Sequence, residues 1–251
     1  PFFVGPFIFL SRLPYAWAYL IWLVISLSLY VTGISILWRA LQHLPREFWL
    51  TALLIAFSFW PFLVESVAGG QTSAFGFFCL ALAIACEARN KFWSGAALAL
   101  CAYKPTLLFL IAPMLLVTGR WVTLVGLAAG NLVLAALSFF IVGWQGCINF
   151  INRLLFYSSS ATTGESGLRS WKYVDINAFM RLLLPHHAQL RWIIAAILVL
   201  GVIPFLIAAW WRLRREAQWQ LLWALTVSWT PVLNIYMGIY DSTILVLAGL
   251  L

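Results

Sequence analysis

Two polar breaks interrupt long apolar runs in this chain: Ala68-Gly69-Gly70-Gln71-Thr72-Ser73 and, about thirty residues on, Tyr103-Lys104-Pro105-Thr106. Lysine at a helix junction is a compact point charge suited to a phosphate group. Gln71, at the start of the following helix, can donate a hydrogen bond, and the backbone N–H groups after Gly70 add donors of the same kind. Further along stand Arg169, Lys172, Asp175, His186, His187, Tyr240 and Asp241. If the fold gathers these at one membrane surface, they form an inventory for binding an anion, and a lipid phosphate headgroup is the anion that fits the setting.

Each residue also has a purely structural reading. Lys104 could be a snorkelling lysine at a helix end, although the adjacent proline would then be a break without a use. Gln71 could cap a tight turn, and Tyr240-Asp241 could be a helix-end pair. Glu65, inside an apolar run, could pair with Lys104 instead of meeting a substrate. Asp175 could act as a base or simply pair with Lys172. His186-His187, beside Pro185, fits a solvated turn, with a phosphate or proton role as the alternative. Arg169 and Lys172 could hold a loop to anionic headgroups.

The elements that must position these residues are helices in a membrane. The chain is 64% hydrophobic, 17% aromatic and 9% charged, with fifteen Trp, whereas a soluble domain is about half apolar and about a quarter charged. A bilayer core of about 30 Å needs roughly 20 apolar residues per helix, and several such runs occur, while the alternating segments of a barrel do not. Only helices or closed barrels satisfy their backbone groups in lipid. The expected fold is therefore all-α, a polytopic transmembrane helical bundle forming one integral domain over 1–251, cut at both ends. The net charge of +8 excludes nothing by itself, but the basic residues lie in short clusters at the ends of apolar runs. That pattern is topology and not a nucleic-acid stripe. Cys79, Cys86, Cys101 and Cys147 lack metal or redox spacing, so no metal site is assigned and any need for a divalent ion stays open.

About eight spans are expected, near 15–38, 48–67, 72–87, 92–104, 105–119, 121–142, 190–211 and 219–236, with a cut span at 242–251 and an external loop at 143–189. Residues 1–11 are too short to span and read as an interfacial helix, as do 148–155. The run from Phe92 to Thr118 is the ambiguous one. As a single helix it places Lys104 and Pro105 at its middle, costing about 3 kcal/mol for the proline and about as much for the buried cation. As a hairpin turning at Lys104-Pro105 it avoids both costs. The hairpin also puts the densest basic cluster, Arg212-Leu213-Arg214-Arg215, on the inner side and gathers the Gly-Gly-Gln corner, Lys104 and the long loop outside.

The pattern resembles the polyprenol-phosphate-sugar-dependent glycosyltransferases of the GT-C class, and most closely glycosyltransferase family 87. Four places carry the likeness: Pro1-Phe2-Phe3 with Pro6 and Leu13-Pro14-Tyr15-Ala16, similar to the tail of the family's Tyr-Pro-Pro segment; Gly70-Gln71-Thr72-Ser73; Gly95 with Ala102, Lys104 and Pro105; and Tyr240-Asp241. The resemblance covers most of the chain, and the Gly-Gln and Lys-Pro pair is its most specific part. It implies an integral plasma-membrane enzyme of bacterial type, active on the outer face. Such an enzyme moves a hexose, plausibly mannose, from a polyprenyl phosphate to a glycolipid, glycan or protein acceptor. Gln71, Lys104, Arg169, Lys172, His187, Tyr240 and Asp241 would line the donor side. The family's general base, a carboxylate in the first external loop, would lie upstream of Pro1, with Asp175 and Asp241 as fallbacks. Rival readings are a transporter or lipid flippase, which should show paired half-repeats with matching broken helices, and an assembly subunit without chemistry.

Overall fold

A computed structural model of the protein describes residues 2–41, 48–163, 172–234 and 236–251. Every element of secondary structure in them is helical, and one isolated antiparallel bridge, Tyr173 to Gly238, is the only extended pairing among the described residues. Three helices are long and apolar enough to cross a membrane: Tyr15–Ala40, Trp121–Phe156 and Ala188–Arg215. Phe48–Ser58 and Phe62–Ala68, bent by 71°, make a fourth if the pair is one span. The other apolar runs form shorter helices, among them Ser73–Glu87, Pro105–Val117 and Ile239–Leu250.

The short helix α1 (Gly5–Leu10) precedes α2 (Tyr15–Ala40), whose N-cap is Pro14, extended at ψ 142 and without an amide proton to continue the preceding turn. Next come α3 (Phe48–Ser58) and a π-helical segment, Phe62–Ala68, with Pro61 at its N-cap. Pro61 lacks an amide proton, so the ladder breaks there and the chain bends. The segment ends in the glycine corner. Gly70 has φ +65, a conformation that favours glycine, and a Cβ on Gly69 would lie 2.5 Å from the Glu65 carbonyl oxygen. Carbonyls released at the corner are taken up by α2: the Tyr19 hydroxyl donates to Val67 O (2.7 Å) and the Trp22 indole N–H to Gly70 O (3.0 Å). Deeper in, the fully buried Tyr30 stacks on Phe62 with centroids 3.7 Å apart and donates its hydroxyl to Ala56 O at 2.7 Å, which satisfies its one polar group in an apolar surround.

Helix α4 (Ser73–Glu87) leads to α5 (Lys91–Ala99), whose N-cap Asn90 accepts from the N–H groups of Phe92 and Trp93. Two 3-10 turns, Leu100–Tyr103 and Pro105–Leu108, flank Lys104, followed by α6 (Ile111–Val117) and α7 (Trp121–Thr163), kinked at Gly143. The backbones of α5 and the first half of α7 nearly touch. A Cβ on Gly95 would lie 1.9 Å from Thr123 O, and one on Gly126 would lie 2.0 Å from Phe92 O. Small residues at such a seam supply the packing that lipid cannot drive between helices.

That seam also fixes the path of the chain between them. Phe92 lies against Gly126, and Ala99 against Gly130, so α5 and α7 run in the same direction. Arg120 forms an ion pair with Glu87. A continuous helix over 92–118 would hold its ends about 40 Å apart. The contact is met because the chain turns back at Lys104-Pro105. Two antiparallel helices, α9 (Ala188–Arg215) and α10 (Trp219–Leu233), complete the bundle with α8 (Ile176–Leu183), a 3-10 segment Ile239–Ile244 and α11 (Leu245–Leu250). One end of the bundle thus carries the glycine corner, Lys104 and the chain around Tyr240. The other carries Glu87, Arg120 and Arg214, which packs beside Gly119.

Candidate functional site

Lys104 sits between two 3-10 turns with φ −140 and ψ 84, the extended conformation that a following proline imposes. Pro105 therefore does two things: it ends the inbound turn and swings the lysine side chain out of any helix. The ammonium forms an ion pair with the Asp241 carboxylate and lies 4.3 Å from the centroid of the Tyr240 ring, within cation–π range. Asp241 is 2% exposed against 17% for Lys104. The carboxylate is thus the buried partner, and the lysine is the one that reaches toward open space. An uncompensated carboxylate at that depth would be costly, so the pair must form for the site to close.

The surrounding groups hold the break in place. The Tyr103 hydroxyl donates to Thr72 O at 3.2 Å, tying the lysine turn to the start of α4. Phe3 packs on both Tyr103 and Phe75, with centroids 4.6 and 4.9 Å away. The Asn234 side-chain amide donates to Thr106 O at 2.8 Å. The Thr106 hydroxyl is buried beside the lysine with no hydrogen-bond partner among the described residues, a group that a ligand would satisfy. Asn234 also lines a cavity of about 240 Å³, with Phe109, Trp192, Val199 and Leu233, almost wholly apolar.

The loop before α8 is stapled onto this end. Tyr173 bridges Gly238, Val174 N–H donates to Met237 O at 2.9 Å, and the hydroxyls of Tyr173 and Tyr236 lie 3.1 Å apart. Asp175 completes the staple: one oxygen accepts from Ala178 N–H at 2.8 Å, capping α8, and the other from Met237 N–H at 2.9 Å. Burial pushes its carboxyl up from the ordinary value, against the pull of those two amides. Both oxygens are in use, and the chain that Asp175 anchors leads directly to Tyr240-Asp241.

The sequence-derived candidates therefore separate. Lys104, Tyr240 and Asp241 are in contact. Glu65, considered above as the partner of Lys104, carries no ion pair among the described residues; its carboxylate lies within electrostatic reach of the Tyr240 hydroxyl. Gln71 stands at the same end, half-buried, but its backbone N–H donates to Glu65 O at 3.2 Å, so the side-chain amide is what remains to offer a ligand. Lys172 precedes the Tyr173 bridge and is half-buried. His187, exposed at the start of α9, has no hydrogen bond or ion pair to Lys104 or Asp241. Arg169 lies outside the described residues. Tyr103 and Thr106 stood in the Lys-Pro break without a role of their own, and Asn234 was missed by sequence reasoning. The signal available for Asn234 was an amide closing the apolar run Trp219–Leu233, two residues before Tyr236. Among the described residues no cluster of His, Cys, Asp and Glu is arranged to hold a metal.

A helical membrane bundle with an ion-paired lysine at a broken hairpin defines an integral membrane protein with a polar site at one end. The family model of glycosyltransferase family 87 matches residues 1–233, and the chain belongs to that family. It is a membrane glycosyltransferase, working on a sugar donor and an acceptor. No curated protein and no solved structure matches the chain significantly.

Proposed function

We propose that the Lys104 end of the bundle binds the phosphate of a polyprenyl-phosphate-linked hexose such as mannose, and that the sugar passes to a glycolipid, glycan or protein acceptor at the outer face of a bacterial-type plasma membrane. The observation that carries this reading is the lysine itself: an ammonium fixed at a chain break by a buried carboxylate, with an apolar cavity linked to the break through Asn234, which lines it and bonds the Thr106 carbonyl. A donor with an anionic head and a hydrocarbon tail has this same pairing of chemistries.

In the reaction the acceptor hydroxyl gives its proton to a general base, a carboxylate as the family resemblance implies, while its oxygen attacks the anomeric carbon from the face opposite the phosphate and the bond between that carbon and the phosphate oxygen breaks. This inverts the configuration at the sugar. The departing polyprenyl phosphate gains one negative charge. Lys104, with two protons left after its contact with Asp241, stabilises that gain, assisted by the Gln71 amide and the Thr106 hydroxyl. Asp241 acts as a positioning residue for the lysine, and Tyr240 provides the wall against which the ammonium rests. In this reading Lys172 and Arg169 add cationic character for the headgroup, and the His187 imidazole offers it a hydrogen bond. Asp175, with both oxygens held by backbone amides, is better suited to securing the loop than to taking a proton.

The placing of the basic clusters, the Arg212–Arg215 run above all, supports the outward orientation. Arg39, Arg89, Lys91, Arg120, Arg212, Arg214 and Arg215 flank helix ends away from Lys104, as expected of an inner surface. The test is transfer by the complete protein in proteoliposomes, supplied with defined polyprenyl-phosphate hexoses or with nucleotide sugars. Product should form from the lipid-linked donor alone. Product from the nucleotide sugar alone, or movement of lipid across the bilayer without any product, overturns the proposal.

A further inference from the structure

We propose a second anion site at the opposite end of the bundle: a cleft of about 360 Å³, lined by Lys91, Gly119, Arg120, Trp121 and Arg214, that takes a phosphate group presented at the membrane surface. It lies one full length of α4 from Lys104, about 20 Å, and is independent of the donor site.

Three segments build it. Asn90 caps α5 and so sets Lys91 at the helix's first position. Gly119, with φ +65, turns the chain from α6 into α7, and a Cβ there would lie 3.3 Å from an Arg214 Nη1. The arginine of α9 therefore lies directly over this turn. Arg214 also rests 5.5 Å from the Trp211 ring. Arg120 follows Gly119 and is largely buried, 15% exposed, against Glu87 at 3%.

Charge bookkeeping then leaves an imbalance. Among the described residues, Glu87 is the one carboxylate paired with a side chain of the cleft. One of its oxygens takes Arg120, and the other accepts from the Thr123 hydroxyl at 3.4 Å. The next carboxylate along α9, Glu216, is paired with Arg212 at 2.8 Å. Lys91 and Arg214 have no carboxylate partner among the described residues, so one negative and three positive side chains converge on a concave space. Burial first, and Arg214 second, pull Arg120 down from the ordinary guanidinium value, a repulsion that an anion in the cleft would relieve. Trp121 and Val122 open α7 along the same wall, and the first turn of α7 holds no acidic residue, so the positive end of that helix adds to the field. Basic residues that only mark topology spread outward into water. Here the exposed Lys91 and Arg214 line the same concave space as the largely buried Arg120, a cleft of ligand size next to an exposed tryptophan of the kind found at headgroup depth.

The ligand chemistry is a phosphate mono- or diester, and its source is either an anionic phospholipid headgroup or a free phosphate. The complete protein is placed in nanodiscs of phosphatidylcholine, with and without phosphatidylglycerol, and separately in phosphatidylcholine with inorganic phosphate. Its thermal midpoint is then titrated against each anion. Wild type should be stabilised by phosphatidylglycerol if the source is lipid, and by inorganic phosphate if it is free. Lys91→Gln and Arg214→Gln should each weaken the half-saturating concentration about fivefold, at about 1 kcal/mol per surface cation. Both are exposed and lack an ion pair among the described residues, so the variants should fold, which elution volume checks. Arg39→Gln, at the same end but outside the cleft, should change nothing. A response to neither probe overturns the proposal, as does equal weakening by Arg39→Gln, which would mean diffuse attraction to a charged surface.

Discussion

Removing Lys104 and Asp241 singly and together separates a structural ion pair from a functional one. In Lys104→Met the Asp241 carboxylate, 2% exposed, is left without its cation, a loss of about 3–5 kcal/mol for a buried pair broken from one side. In Asp241→Asn the lysine is the orphan, but at 17% exposure it can turn toward water and keeps the Tyr240 ring. The cost should fall to about 1.5–3 kcal/mol, the value of a hydrogen bond to a charged group. The double variant, with no charge stranded, should recover part of the sum and show a coupling of about 0.5–3 kcal/mol. Activity should behave differently. A unit charge about 4 Å from a leaving phosphate is worth about 4 kcal/mol at an effective dielectric of 20, close to three decades in rate. Both variants lacking Lys104 should lose that factor, including the double variant whose fold is restored. Asp241→Asn should keep most turnover, with a changed KM. Stability is read from thermal unfolding in detergent, and turnover from transfer in proteoliposomes. A double variant that regains wild-type turnover would refute the assignment of Lys104 to the phosphate.

Other consequences are accessible to simple variants. Gly95→Val, whose Cβ would enter the α7 backbone at Thr123, should cost at least about 1–3 kcal/mol of overpacking and lower the thermal midpoint, whereas Gly5→Val, with open space around it, should not. A cysteine in place of Ala68, exposed at the glycine corner of the Lys104 end, in a background lacking the native cysteines, should be labelled by an impermeant reagent added outside; labelling only from the inner side contradicts the orientation. The raised Asp175 carboxyl adds stability in its protonated form, fully present below the unfolded value near 4 and lost as pH rises through the higher folded value. Wild type should therefore lose stability relative to Asp175→Asn as pH rises through the carboxylate range, and parallel pH profiles would exclude this.

What the sequence revealed depended on distance along the chain. The glycine corner and the Lys104-Pro105 break were legible because glycine and proline act on their own backbones, and polar residues inside apolar runs are conspicuous. Sequence could also show that Lys104 needed a partner, and Glu65 was the nearer carboxylate. The structure supplies Asp241, 137 residues away, because the 3-10 segment Ile239–Ile244 packs beside α4 and no local pattern encodes that approach. The Tyr173–Gly238 bridge was invisible for a related reason: a single extended pairing leaves no alternation to detect. Asp175 drew attention as a carboxylate in a polar loop, yet its position directly before Ile176–Leu183 was a helix-start signal, and capping is what the residue does. The α5–α7 seam lay in plain view as Gly95, Gly126 and Gly130, but their facing one another required the hairpin to be folded first.

The most direct measurement is equilibrium binding of polyprenyl phosphate to the purified complete protein, wild type against Lys104→Met/Asp241→Asn, the variant pair that leaves no stranded charge. Saturable binding by wild type and weakening of at least tenfold in the double variant are the expected results. Equal affinity in the two proteins would contradict the claim that this lysine holds the donor phosphate.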